Sequence, residues 1–287
     1  MGTTTLRELE RELAQLRDAS TEPGAAPRMR ASVMTHIAWV PERWVEEATG
    51  TLAGLAERHP SRAILLFPRP EDSDALEGEV DFRCFVRGGQ QREVCSEVIS
   101  LRLCGARAAA PASVVMPLLV SDLPVFLRWR GPLPFGAVEL EQLVGVADRL
   151  VVDSREWPDA EGDVGLLPEL FDRIVVSDIS WARTERWRAA VADLWPAVAG
   201  ATTIRVAGPR TEAELLRGWL ASRLGREIAL EVEPAGEIEL VEVDGHDCHP
   251  VRLEAGTSSD LLSDQLEVFS RDRVYEEAVR SFSSQPT

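Results

Sequence analysis

Residues 92–130 read REVCSEVISLRLCGARAAAPASVVMPLLVSDLPVFLRWR, two strand-like runs on either side of a small-residue segment. Glu93 to Leu103 is rich in leucine and β-branched residues with polar residues interleaved, which predicts a strand of a mixed sheet. Gly105 to Val120 is alanine-rich and then apolar, predicting a helix laid closely on that sheet. Pro111 and Pro117 limit its regularity, because each removes an amide donor. Pro124 to Trp129 is an apolar run of strand length, closed by Gly131-Pro132. Almost nothing here could serve as a catalytic group; the stretch reads as core.

Working outward toward the N-terminus, Val80 to Val86 forms a predicted antiparallel hairpin with Glu93 to Leu103, turning at Gly88-Gly89. That pairing sets Cys84 opposite Cys95. Residues Pro68 to Gly78 read as an acidic loop, Arg62 to Phe67 as a short buried strand, and Met29 to Val40 as the first strand. Between them Pro41 starts a helix whose buried face is Trp44, Val45, Ala48, Leu52 and Leu55, ended by His59-Pro60. Thr5 and Glu8 have capping-box spacing ahead of the stripe Leu6, Leu9, Leu13 and Leu16. Residues 19–27 are linker-like in composition.

Toward the C-terminus, Leu140 to Val146 is a predicted helix, Arg149 to Val152 a strand, Leu166 to Phe171 a helix and Arg173 to Val176 a strand. Trp181, Thr184, Trp187, Val191 and Trp195 share one helical face. Thr203 to Ala207 is a strand. Thr211 and Glu214 form a second capping-box pattern for a helix reaching Gly225, with Leu215, Leu216, Trp219 and Leu220 facing inward. Glu227 to Val232, Glu237 to Val243 and His249 to Leu253 predict a small antiparallel sheet, and two short helices follow, Asp260 to Val268 and Arg273 to Phe282. The fold class is therefore α/β, a mixed sheet with flanking helices, Rossmann-like but lacking the Gly-rich loop, followed by a smaller α+β unit. The expected boundaries are residues 1–28 for the N-terminal helix and linker, 29–178 for the α/β domain and 179–287 for the α+β domain.

Composition narrows the function. The 287 residues carry a formal charge of −17, which argues against nucleic acid as a partner, since phosphate binding needs clustered positive charge. All 31 basic residues are arginine, so no Schiff-base or phosphate-loop lysine chemistry can occur. No apolar run approaches the ~20 residues of a membrane helix. The first thirty residues are charged rather than signal-like, and the four cysteines make no disulfide framework, both of which point to a cytoplasmic location.

Neither the dinucleotide glycine pattern, the P-loop nor the G-x-S-x-G elbow occurs. His246-Asp247-Cys248-His249 is too tightly spaced for a zinc site and reads as a polar turn. His59-Pro60-Ser61-Arg62 could bind an anion around Arg62, or Arg62 could pair with a carboxylate. Cys84 and Cys95 could form a redox-sensing pair. Trp181, Arg183, Trp187 and Arg188 have the composition of an interface hot spot. Glu97 and Arg102 are polar residues set inside an apolar strand. No catalytic group, cofactor or metal site is expected, and the residues favour a binding protein over an enzyme.

Several stretches resemble the OpcA family, the glucose-6-phosphate dehydrogenase assembly proteins. They are His59-Pro60-Ser61-Arg62, Cys95-Ser96-Glu97 leading into Leu101-Arg102-Leu103, and Ala112 to Leu119 followed by Asp122-Leu123-Pro124-Val125. Asp148 to Ser154, Ser180 to Arg183 with Trp187-Arg188, Trp219 to Gly225 and Val274 to Ala278 continue the resemblance in order. It implies a non-catalytic partner of glucose-6-phosphate dehydrogenase that promotes its active oligomer. The competing class is a sugar-phosphate or nucleotide sensor or enzyme built on a Rossmann-like pocket near Arg62.

Overall fold

The chain divides into two compact units, residues 1–151 with 258–267 and residues 152–257 with 268–287. The computed structural model describes residues 5–19, 29–30, 32–58, 61–86, 93–250, 258–267 and 270–281. In chain order the helices are α1 (Leu6–Ala19), α2 (Val45–Arg58), α3 (Pro111–Val115), α4 (Val138–Val144), α5 (Ala160–Leu166), α6 (Pro168–Phe171), α7 (Ile179–Arg183), α8 (Glu185–Asp193), α9 (Arg210–Leu224), α10 (Ser258–Glu267) and α11 (Arg273–Arg280). The strands are β1 (Met29–Arg30), β2 (Thr35–Trp39), β3 (Arg62–Arg69), β4 (Ala75–Val86), β5 (Glu93–Cys104), β6 (Val125–Trp129), β7 (Arg149–Val152), β8 (Val175–Asp178), β9 (Thr203–Gly208), β10 (Ala229–Pro234), β11 (Leu240–Val243) and β12 (His246–Asp247).

The first unit is built on a seven-stranded mixed sheet running β4-β5-β3-β2-β6-β7, with two-residue β1 pairing parallel to β5. All these pairings are parallel except the β4–β5 hairpin. β2 and β6 are buried at every position, as strands covered on both faces are, and enclose Thr35, His36 and Arg128 among their apolar residues. α2 lays Ala48 against Ala38, Val40, Ala63, Leu65 and Val98 of the sheet. α1 begins with the capping box its sequence predicts: Thr5 N donates to Glu8 Oε2 at 2.7 Å, and Glu8 N to Thr5 Oγ1 at 3.3 Å. Leu9 and Leu13 are buried, and a Cβ on Gly78 of β4 would meet Leu9 Cδ2 at 2.7 Å, so the missing side chain is what admits α1.

Three expectations for this unit change. Met29 to Val40 is two strands, the first at the edge position beside β5 and the second central. The acidic loop shrinks to residues 70–74, because β3 and β4 extend into it and pair with β5 through Cys104. The helix expected over Gly105 to Val120 is broken into a 3-10 turn at Gly105–Arg107, α3, and a second 3-10 turn at Met116–Leu118. Pro111 sits in the first turn of α3 and Pro117 in that of the second 3-10 piece, the positions where a missing amide donor costs least. Of the expected linker, residues 19–27, Ala19 ends α1 and the rest lies outside the described residues.

In the second unit β9, α9 and β10 form a parallel βαβ pair, and β11 and β12 add antiparallel to make the order β10-β9-β11-β12. The small sheet is therefore mixed, not antiparallel as expected. His246-Asp247 is strand β12 rather than a turn; the turn is Asp244-Gly245, both at positive φ, 44° and 80°. α9 starts after Pro209, so Thr211 lies inside its first turn and makes no cap. Gly225 ends it at φ 63°, the left-handed conformation glycine adopts most readily.

Candidate functional site

In an open parallel sheet, ligands bind outside the carboxyl ends of the strands where strand order reverses. Here β3 and β6 flank β2 on opposite sides, which places that position at the ends of β2 and β6. It is filled. Trp39 and Trp129 are register partners, buried, with rings stacked 4.9 Å apart at 15°. Arg130 then donates from its amide to Trp39 O at 3.0 Å, and from its guanidinium to Glu47 at 2.9 Å and Thr51 at 3.2 Å. Gly131 follows at φ 82°, where a Cβ would press on the Arg43 guanidinium at 3.0 Å and Trp44 at 3.2 Å.

The residues singled out in this unit are engaged within it. Arg62 donates from Nε to Glu97 Oε2 at 2.8 Å, from Nη2 to the same oxygen at 2.6 Å, and from Nη1 to Leu118 O at 2.7 Å. This clamp joins β3, β5 and the turn after α3, and it occupies the guanidinium that an anion would need. Arg102 pairs with Glu77 across the hairpin at 2.5 Å and keeps much of its side chain in solvent. The β4–β5 register sets Cys84 directly opposite Cys95. His59-Pro60 lies outside the described residues.

In the second unit Trp181 and Trp187 are buried, 4% exposed each, whereas Trp195 is 62% exposed. Trp181 Nε1 donates to Asp272 Oδ2 at 2.7 Å, and Asp272 Oδ1 caps α11 by accepting from Tyr275 N at 3.0 Å. Arg188 lies over the Trp181 ring, 3.5 Å from its centroid, and donates to Thr184 Oγ1 at 3.0 Å. Burial pulls the Arg188 guanidinium down to about 10, because desolvation disfavours its charge. Arg183 forks onto Asp153, Nη1 to Oδ1 at 2.7 Å and Nη2 to Oδ2 at 2.8 Å. The aromatic and cationic residues that compose a hot spot in sequence are thus paired inside the unit.

That pairing belongs to a buried charge network. Asp153 and Ser154 leave β7, Asp178 ends β8, Ser180 opens α7, Glu212 lies in the first turn of α9, and Tyr275 lies on α11. Asp178 is fully buried and accepts four hydrogen bonds: from Ser154 N (3.1 Å), Ser154 Oγ (2.6 Å), Ser180 N (2.9 Å) and Tyr275 Oη (3.4 Å). Arg155 donates to Glu212 Oε1 from Nε at 2.7 Å and Nη2 at 2.5 Å, and to exposed Glu237 at 2.7 Å. Glu212 is also fully buried, and its Oε2 has no hydrogen-bond partner among the described residues. Burial and the neighbouring Asp153 charge raise Asp178 to about 6; burial raises Glu212 to about 7 despite Arg155 and Arg183. Burial and the Asp178 charge push Tyr275 well above its usual range. Sequence reading missed this network because its members are single residues up to 122 positions apart, from Asp153 to Tyr275. The local signal is an aspartate closely followed by a serine at two strand ends, Asp153-Ser154 and Asp178-Ile179-Ser180.

Two domain families match the chain in sequence. Residues 53–168 match the glucose-6-phosphate dehydrogenase subunit N-terminal domain, and residues 174–279 match the C-terminal domain of the same subunit. Curated relatives include the putative OxPP cycle protein OpcA of Nostoc punctiforme, 25% identical over 201 residues, covering 66% of this chain and 43% of that protein. The protein of the same name from Synechocystis sp. is 25% identical over 189 residues, covering 62% of this chain and 40% of its own length. The chain thus aligns with less than half the length of these relatives. With both domains matched consecutively and in order, the chain belongs to the OpcA family of glucose-6-phosphate dehydrogenase subunit proteins.

Proposed function

We propose that this chain is a non-catalytic, cytoplasmic accessory protein that binds glucose-6-phosphate dehydrogenase and favours its active oligomer, supporting the oxidative pentose phosphate pathway. The observation that carries this reading is the consecutive match to both domains of a dehydrogenase subunit. Such a protein acts by binding the competent oligomer more tightly than the incompetent one, which shifts the population toward activity. It needs broad complementary surface and a firm scaffold rather than a reactive centre. Arg102 keeps 43% of its side chain exposed and Trp195 is 62% exposed, and Trp and Arg are the residue types enriched at interface hot spots. They are the first candidates for contact. Redox pairing of Cys84 with Cys95, whose backbones face each other, would be a means of modulating the hairpin.

The reading of a nucleotide or sugar-phosphate pocket is less well supported. The stacked tryptophans occupy the strand-end position where such ligands bind, and Arg62 is committed to Glu97 and Leu118. The test is direct. Purified dehydrogenase is assayed and sized with and without this protein at micromolar concentration. A gain in activity or a shift in oligomer, with co-elution, supports the reading. No change in either, together with separate elution, overturns it. Calorimetric binding of glucose 6-phosphate or NADP to this chain alone would favour the pocket instead.

A further inference from the structure

Beyond partner binding, the second unit buries carboxylates at its centre. Asp153 and Glu212 take the guanidiniums of Arg183 and Arg155, while Asp178 lies fully buried beside Asp153. Both cations are already committed: Arg183 forks onto Asp153, and Arg155 bridges Glu212 and solvent-facing Glu237. Asp178 has no cation at hydrogen-bond distance; its four donors are hydroxyls and amides. Glu212 keeps one buried oxygen without a partner. Other charged or titratable groups near the cluster include Tyr275 and Asp272 of α11, with Arg186 and Arg188 of α8 near Glu237 and Trp181. Among the described residues no arginine donates to Asp178.

We propose that the Asp153–Asp178–Glu212 cluster retains a proton in the folded protein near neutral pH. Its release loosens the packing of α7, α9 and α11 around β8, making this unit a pH-sensitive element. Asp178, buried with no cation among its donors, and Glu212, buried with one unpartnered oxygen, ionise only against a desolvation penalty, and a retained proton removes it. The raised pKa values of Asp178 and Glu212, about 6 and about 7, agree with this geometry.

The direction follows from linkage. A carboxyl whose pKa is raised in the folded protein binds its proton more tightly folded than unfolded, so stability falls as pH rises from the unfolded value toward the folded one. That window runs from about 3.8 to about 6 for Asp178 and from about 4.5 to about 7 for Glu212. Within it each retained proton changes the folding constant up to about tenfold per pH unit. Other carboxylates with lowered values, such as Glu237 held by Arg155, act in the opposite sense only at lower pH.

The experiment is infrared spectroscopy of the full chain in its carboxylic-acid stretch region, from pH 5.5 to 8, beside denaturant midpoints at the same pH. The expected result is a protonated-carboxyl band at pH 5.5 that disappears by pH 8, with the midpoint falling over the same interval. Glu212→Gln and Asp178→Asn each imitate the protonated form and should reduce the band and flatten the midpoint profile. Absence of the band at pH 5.5, or a midpoint that rises from pH 5.5 to 8, overturns the proposal. So does a profile unchanged in both variants. Should either variant fail to fold, the band and midpoint of the unsubstituted chain still decide the matter.

Discussion

Arg62 and Glu97 show how a single polar pair inside an apolar strand can be read two ways. From sequence they are equally good as contact residues and as an internal pair; the 2.6 Å bridge and the bond to Leu118 O give them the internal one. Removing one partner of such a pair leaves a buried charge without compensation, which costs about 3–5 kcal/mol when burial is deep. Here both side chains are near a tenth exposed. We expect Glu97→Ala to lower unfolding free energy by about 2–4 kcal/mol in urea titrations, whereas loss of dehydrogenase activation at unchanged stability would place Glu97 at the interface instead. Trp181 offers a second test. Trp181→Phe removes the donor to Asp272 and part of the platform under Arg188, and should cost about 1–3 kcal/mol. Its amide-exchange signature should be faster opening at Tyr275, whose capping acceptor is the same Asp272.

At the scale of elements, the hydrophobic periodicity located nearly every helix and strand, because each must bury one face. Pairing direction was another matter. The alternation of Ala229 to Pro234 is the same in a parallel or an antiparallel strand; α9, lying between β9 and β10, supplies the crossover that makes them parallel. Capping patterns likewise depend on where the helix begins. Thr5 and Glu8 form their box, but Pro209 begins α9 two residues before Thr211, and Glu214 instead takes Arg217 at 2.8 Å and Arg210 at 2.9 Å. The seat of α1 gives a prediction at this scale. Gly78→Val would drive a branched side chain into Leu9 and Leu101, costing about 1–3 kcal/mol as overpacking does. Limited proteolysis should then cut within residues 6–19 while the sheet stays protected. If cleavage of α1 is unchanged, the contact at Gly78 does not hold it.

For the molecule as a whole, the proposed function asks which surface would meet the dehydrogenase. Trp195 was read as the last member of a buried stripe, yet α8 ends at Asp193 and the following turn carries the ring into solvent. Trp195→Ala should leave the denaturant midpoint nearly unchanged and weaken dehydrogenase binding by about thirtyfold, the size of a ~2 kcal/mol hot spot. Unchanged affinity in a titration of the two proteins would remove Trp195 from the interface.

Sequence alone determined the fold class, the order of most elements and the family, because burial periodicity, proline and glycine positions and short motifs are local properties of the chain. It also determined that no lysine chemistry is available. Only the tertiary structure decided that Trp39 and Trp129 fill the end of the sheet, that Arg62 belongs to Glu97, and that Asp153 and Glu212 take Arg183 and Arg155 while Asp178 is buried among hydroxyl and amide donors. Those are long-range pairings, and their energy depends on distance and desolvation, which composition and spacing do not encode.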